Sequence, residues 1–185
     1  MNPLMIEAET QTQHLGTEGV HYRTPRAQDG IAVWQLVREA GTLELNTAYF
    51  YLIFCSDFQD TSLVAEHDGQ IIGAILGYRP PKSPDTIFCW QVGVLPSWRG
   101  KGLASRMLKA WSDHARDDSI QYVTATVAED NQASDRLFRR FARETGVSCE
   151  VSPHFTADLL PPDHCPEPIY RIGPLTPTTT ASAVL

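Results

Sequence analysis

Residues 86–104 read TIFCWQVGVLPSWRGKGLA, and the fold turns on this stretch. Its first ten residues are mostly β-branched or aromatic and apolar on both faces, which predicts a strand at the centre of a sheet. Pro96 stops the strand. After Gly100 and Gly102, the residues Leu103, Met107, Trp111 and Ala115 fall four apart, on one face of a helix. Glycines between a strand and a helix let the backbone come close to a ligand. The first N–H groups of the helix have no internal partner and point outward, forming a nest for a phosphate or pyrophosphate. Arg99 and Lys101 add positive charge there. The stretch is neither GxxxxGK followed by Ser or Thr nor GxGxxG. Spacing alone leaves open a tight turn that uses glycine for geometry only.

Upstream, the run SLVAEHDGQIIGAILGYR places two strand-like segments around Asp68-Gly69, a two-residue hairpin turn. Thr24-Pro25 starts an amphipathic helix over 25–39, carried by Ile31, Trp34 and Val37 and ended by Gly41. Thr47 opens a second, more apolar helix, AYFYLIFC. Downstream, YVTATVAED alternates like a strand, and a helix runs from near Asn131 to Gly146. VSCEV and PIYRIG read as closing strands joined by the proline-rich loop SPHFTADLLPPDHCPE. The order α, α, β-hairpin, β, α, β, α, β, β gives an α/β chain with a mixed sheet. Residues 1–20 read as a frayed arm and 175–185 as a loose tail, which leaves one domain over 21–174.

Composition agrees with a single globular unit. The chain has 185 residues, 42% apolar and 20% charged, enough to bury a core without disulfide or metal staples. No apolar run approaches the ~18–20 residues of a membrane span. The polar, acidic opening has no positive n-region and no h-region, so the expected compartment is the cytoplasm. A net charge of −7 argues against nucleic acid as a partner. The four cysteines (Cys55, Cys89, Cys149, Cys165) are scattered and the six histidines form no ligand pair, so reduced thiols and no metal are expected.

The pattern V-x-V-x-P-x-x-R-G-K-G-L-A, then a second strand, then N-x-x-S-x-x-L-F, resembles the acetyl-CoA-binding core of the GNAT acetyltransferases. The family's loop has Arg or Gln, then Gly three residues on and Gly or Ala two further; Arg99, Gly102 and Ala104 match it. The resemblance implies the GNAT acyl-CoA N-acyltransferase fold, a mostly antiparallel central sheet flanked by helices and splayed at the CoA site. It implies acetyl-CoA as co-substrate. The amides of Arg99, Gly100, Lys101, Gly102, Leu103 and Ala104 would grip the pyrophosphate. Gln91, Val92 and Val94 would line the pantetheine arm, and Asn131 would reach it from the far strand. The stretches AGTLELNTAYFYL, GYRPPKSPDTIFCWQVGV, ATVAEDNQASDRLFRRFA and CEVSPHFTADL are similar, more narrowly, to the L-2,4-diaminobutyrate acetyltransferases of ectoine synthesis. That likeness implies a homodimer acting on the γ-amine of L-2,4-diaminobutyrate.

Such a substrate has two ammonium groups and one carboxylate, so its pocket needs acidic partners. Glu44 and Asn46, just before the second helix, are the expected amine ligand and its polar neighbour, unless they are a solvated glutamate and a helix-cap asparagine. Trp90 would offer a ring face to an ammonium, or lie in the core. Glu167 and His154 in SPHF would close the far side, or remain exposed loop residues. The resemblance assigns the oxyanion donor to the Val92 N–H. The base is either Glu44, Glu129 or Asp130, none uniquely placed, or a water-relayed path with no single essential base. The family's thiolate-protonating tyrosine position holds Phe138 here, which leaves Tyr122, water, or a thiolate that departs without a dedicated acid. Arg136, Arg139, Arg140 and Arg143 crowd the helix after Asn131, either as a solvated face or as contacts to the CoA 3′-phosphate. No cysteine has an adjacent base, so direct attack in a ternary complex is expected. The alternatives are another small diamine or amino acid as acceptor, a CoA-binding sensor, and acetylation of protein lysines or N-termini.

Overall fold

The computed structural model describes residues 19–117 and 119–175. In chain order they form β1 (His21–Arg23), α1 (Gly30–Ala40), α2 (Ala48–Ser56), β2 (Leu63–His67), β3 (Gln70–Tyr78), β4 (Thr86–Val94), α3 (Leu103–Ala115), β5 (Tyr122–Thr126), α4 (Gln132–Thr145), β6 (Ser148–Phe155) and β7 (Glu167–Gly173). One sheet has the order β1-β2-β3-β4-β5-β7-β6. Every neighbouring pair is antiparallel except β4–β5, which is parallel. The expected mixed sheet and central position of β4 both hold.

The β2–β3 hairpin turns at Asp68 and Gly69 with φ of 48° and 74°, the twist that a two-residue turn requires. Gly41 and Gly146 close α1 and α4 in the left-handed region, as their positions indicate. Glycine also sets how closely α3 lies on the sheet. A β-carbon on Gly73 would fall 2.5 Å from Met107 Sδ. Trp111 is fully buried and donates its indole N–H to the carbonyl of Thr61 at 2.7 Å.

Three expectations change. A strand precedes the first helix: His21–Arg23 pair with Val64–Glu66 in a segment too short to carry a period. Helix α1 starts at Gly30 rather than 25, preceded by a 3₁₀ turn over Ala27–Asp29. The Arg23 fork and the Arg26 N–H all bind the Asp29 carboxylate, which fixes that tighter turn. Residues 152–155 are strand rather than loop: β6 runs to Phe155 across a register shift, which an edge strand tolerates at Pro153. Of the arm expected over 1–20 and the tail expected over 175–185, residues 1–18 and 176–185 lie outside the described residues. Leu175, assigned to that tail, is buried, and its N–H bonds to Gln121.

Candidate active site

The parallel pair β4–β5 is short. Thr86, Ile87 and Phe88 face Tyr122, Val123 and Thr124, and pairing stops there. On the other side of β4, Gln91 faces Leu76 and Cys89 faces Gly77, so Trp90 is an extra residue without a partner. Such a bulge bends its strand and re-aims the backbone. After the bulge, the Leu95 N–H bonds to Ile72 on the β3 side at 3.0 Å. Strand backbone groups alternate sides, so Gly93 also points toward β3. The N–H and C=O groups of Val92 and Val94 therefore face the gap where β5 has left.

That gap opens into a cleft of about 720 Å³. Val92, Val94, Arg99, Ala104 and Asn131 line it together, five of the residues the sequence singled out. Gly100 and Gly102 have φ of 73° and 70°. Gly102 is the N-cap of α3 and has no side chain to offer, so the first α3 N–H groups are uncapped beside the cleft. Such a helix start suits a pyrophosphate. Leu103 belongs to the core at 1% exposure and has only its backbone to offer. Asn131 caps α4 by accepting from the Ser134 N–H at 3.1 Å, which leaves its amide N–H groups to donate.

Two charges are placed differently from expectation. The Lys101 ammonium sits 4.8 Å from the centre of the Trp98 ring and is not among the cleft-lining residues. Arg106, which sequence reasoning passed over, donates to the Lys101 carbonyl at 2.7 Å and braces the Gly-rich turn. Its four-residue spacing from Gly102 was the available clue. Arg99 lines the cleft and also donates to the carbonyl of Ala40, at the C-terminal end of α1.

The residues expected on the acceptor side lie across β4. The Gln91 side chain is buried and does not line the cleft. It donates to the Glu44 carbonyl at 2.8 Å and meets the Tyr51 hydroxyl at 3.5 Å, which in turn accepts from the Asn46 N–H at 3.2 Å. Gln91 thus fastens the α1–α2 loop, and of the three residues expected along the pantetheine arm, Val92 and Val94 line the cleft while Gln91 does not. Asn46 does not cap α2, because Thr47 does. Glu44 is exposed, with no side-chain bond among the described residues. Trp90 is not a core residue: it is 47% exposed and stands among Phe50, Phe54, Phe88 and Tyr78 at 5.9–6.5 Å.

Glu167 and His154 part company. The bonds Val127 N–H to Pro168 and Glu129 N–H to Pro166 carry the β5–β7 ladder onward. They set Glu167 level with residue 128, at the open end of the gap. His154 stacks on Phe155 at 4.3 Å on the exposed edge strand, with β5 and β7 between it and β4. The structure does not bring it to the other acceptor residues.

Phe138 is buried and carries no proton. Tyr122 starts β5 opposite Thr86, at the closed end of the gap under the Arg171 guanidinium, so it is misplaced for thiolate protonation. Tyr170, whose ring lies 6.2 Å from Phe138, donates to cleft-lining Asp135 at 2.7 Å. Burial first, then that bond, push its hydroxyl pKa up, so the phenol stays protonated and bonded to Asp135. Burial pushes the Cys55 and Cys89 thiols up to about 12, so neither is a nucleophile at neutral pH. Among the described residues, no group of three His, Cys, Asp or Glu side chains could hold a metal ion.

Residues 31–142 match the acetyltransferase (GNAT) family. The chain is 43% identical over 154 residues to the L-2,4-diaminobutyric acid acetyltransferase of Halalkalibacterium halodurans, covering 83% of this chain and 81% of that one. It is 36% identical over 174 residues to the enzyme of the same name from Nocardia farcinica, covering 94% and 89%. The diaminobutyrate acetyltransferase of Paenibacillus lautus, solved in complex with its substrate L-2,4-diaminobutyric acid and coenzyme A, superposes with a TM-score of 0.80. It is 40% identical and covers 86% of this chain and 96% of its own.

Proposed function

This chain belongs to the GNAT acetyltransferase family, and from that premise we propose that it moves the acetyl group of acetyl-CoA onto the γ-amine of L-2,4-diaminobutyrate. The observation that carries this reading is the Paenibacillus lautus relative with both ligands bound, on the same fold. The cleft fits the co-substrate on its own terms. It has an uncapped helix start behind two glycines with positive φ, and a strand edge whose Val92 and Val94 groups are unpaired.

The attacking amine must be neutral, and a carboxylate held against it would raise its pKa. Glu44 therefore binds the ammonium that does not react. Trp90 offers its ring face to a cation and Asn46 a polar contact, while Glu167 closes the open end of the gap. The Val92 N–H supports negative charge growing on the thioester oxygen. The amine nitrogen bonds to the acetyl carbon and the carbon–sulfur bond breaks. The amine proton leaves to water, and the CoA thiolate takes a proton from solvent. No side chain is assigned as base or acid; Glu129 and Asp130 are exposed beyond β5. His154 stays outside this pocket within one chain.

We further propose a cytoplasmic homodimer serving ectoine synthesis. All four cysteines are free, the state a reducing compartment keeps. Strand β6 is an edge that exposes Val151 and Phe155, and such edges are ordinarily covered. The deciding experiment is thiol release from acetyl-CoA with L-2,4-diaminobutyrate, ornithine or lysine, with the product mapped by NMR. Acetylation of diaminobutyrate at the γ nitrogen is expected. Turnover only on a longer diamine would reject the acceptor, and CoA binding without turnover would reject catalysis.

A further inference from the structure

The chain carries a net charge of −7, yet its cleft is strongly basic. Five arginines line it, Arg99 from the turn and Arg136, Arg139, Arg140 and Arg143 from α4, against one carboxylate, Asp135. The four on α4 recur at three- and four-residue intervals, which puts them on one helix face. They are not equivalent. Arg139 is held by Asp135 at 2.7 Å and Arg140 by Glu144 at 2.6 Å. Arg136 meets only the Gln132 side-chain oxygen, at 3.4 Å. Arg143 has no ion pair or side-chain hydrogen bond among the described residues. A solvated helix face would pair its cations along the helix, as the Arg140–Glu144 pair does. Here the two cations without carboxylates both line the cleft.

The pyrophosphate nest is a different place, built from backbone at the start of α3. We propose that Arg136 and Arg143 form a second anion site in the same cleft, one that takes a phosphomonoester: the 3′-phosphate of the CoA ribose. This rests on the reading of the cleft as the CoA site. A phosphomonoester carries nearly two negative charges at neutral pH, the strongest demand for guanidinium donors in that ligand. Arg139 and Arg140, already neutralised, shape the wall between the two.

Calorimetric titration with CoA and with 3′-dephospho-CoA tests this, on the wild type, on the double variant Arg136→Gln/Arg143→Gln, and on Lys109→Gln. Lys109 is an exposed α3 cation paired with Asp113. The wild type is expected to prefer CoA by about tenfold or more, the scale of one charge-assisted contact. In the double variant that preference should shrink to about twofold, with dephospho-CoA affinity nearly unchanged. Lys109→Gln should keep the full preference. Equal wild-type affinity for both ligands would overturn the second site while leaving the CoA reading intact. A parallel loss of both ligands in the double variant, or a loss of preference in Lys109→Gln, would reduce it to general electrostatics and overturn it too. Wild-type binding of neither ligand would overturn the CoA reading itself.

Discussion

Gln91 donates its side-chain amide to the backbone carbonyl of Glu44 at 2.8 Å, tying the middle of the sheet to the loop between α1 and α2. Arg99 holds the other end of that loop through Ala40. Both anchors belong to the segment that builds the cleft, so under the proposed reading the acceptor loop is positioned from the co-substrate side. Gln91→Ala should raise the KM for diaminobutyrate about tenfold, the worth of one buried bond of this kind, and leave the KM for acetyl-CoA within about twofold. Steady-state kinetics with each substrate varied in turn would read this out. An equal rise in both constants would mean that Gln91 supports the strand and not the loop.

Glu44→Gln keeps the shape of the side chain and removes its charge. Loss of a charge-assisted bond to an ammonium should raise the KM for diaminobutyrate by about ten- to a hundredfold. Under the proposed reading the bonded amine is not the one that reacts, so the pH profile of kcat should keep its shape. A shifted profile would instead make Glu44 the base.

Trp90→Leu removes a ring face that is half exposed beside α2. A cation–π contact of ordinary strength predicts an acceptor KM about three- to thirtyfold higher. Protein stability should barely change, since the ring is not part of the core. A large drop in melting temperature would return Trp90 to a packing role.

Gly102→Ala places a β-carbon 3.3 Å from the Arg106 guanidinium at a φ of 70°. The left-handed backbone costs about 1 kcal/mol for alanine, or a melting point about 2–4 °C lower. Relaxing it would swing the α3 N–H groups, so acetyl-CoA affinity should fall while acceptor affinity does not. Unaltered CoA affinity in calorimetry would show that the turn binds nothing.

Asp29 lies far from the cleft and sets a pH limit on the fold. Burial pushes its carboxyl pKa up, but bonds from Arg23 and from the Arg26 N–H outweigh this and hold it below the usual carboxylate range. A depressed folded pKa gives stability that is complete above the unfolded value near 4 and lost as pH falls through the folded one. Asp29→Asn should cost about 2 kcal/mol at pH 7, with the gap from wild type closing below about pH 4. Denaturation across that range would show it; a gap constant down to pH 2 would deny the ion pair its role.

Much of this was legible in the chain because local chemistry decided it. Gly100, Gly102 and the apolar face of α3 fix the turn and helix without help from distant residues. The same holds for Asp68-Gly69 in the hairpin. What escaped was set by contacts remote in sequence. The three-residue β1 exists only because β2 offers it an edge. Gln91 reads as a cleft residue until the α1–α2 loop is folded against it, and His154 reads as a pocket residue until β6 carries it to the rim. Tyr170 and Phe138 are 32 positions apart in a line of letters, and their rings are neighbours.

A sheet normally keeps its margins outside and its slowest-exchanging amides at its centre. Here, among the described residues, the β4–β5 ladder has three residue pairs, so this sheet has a seam through its middle. Along it the Val92 and Val94 amides are expected to trade protons with water like those of a rim. A bound pantetheine arm would close the seam, and the ligand would stand in for the missing length of strand.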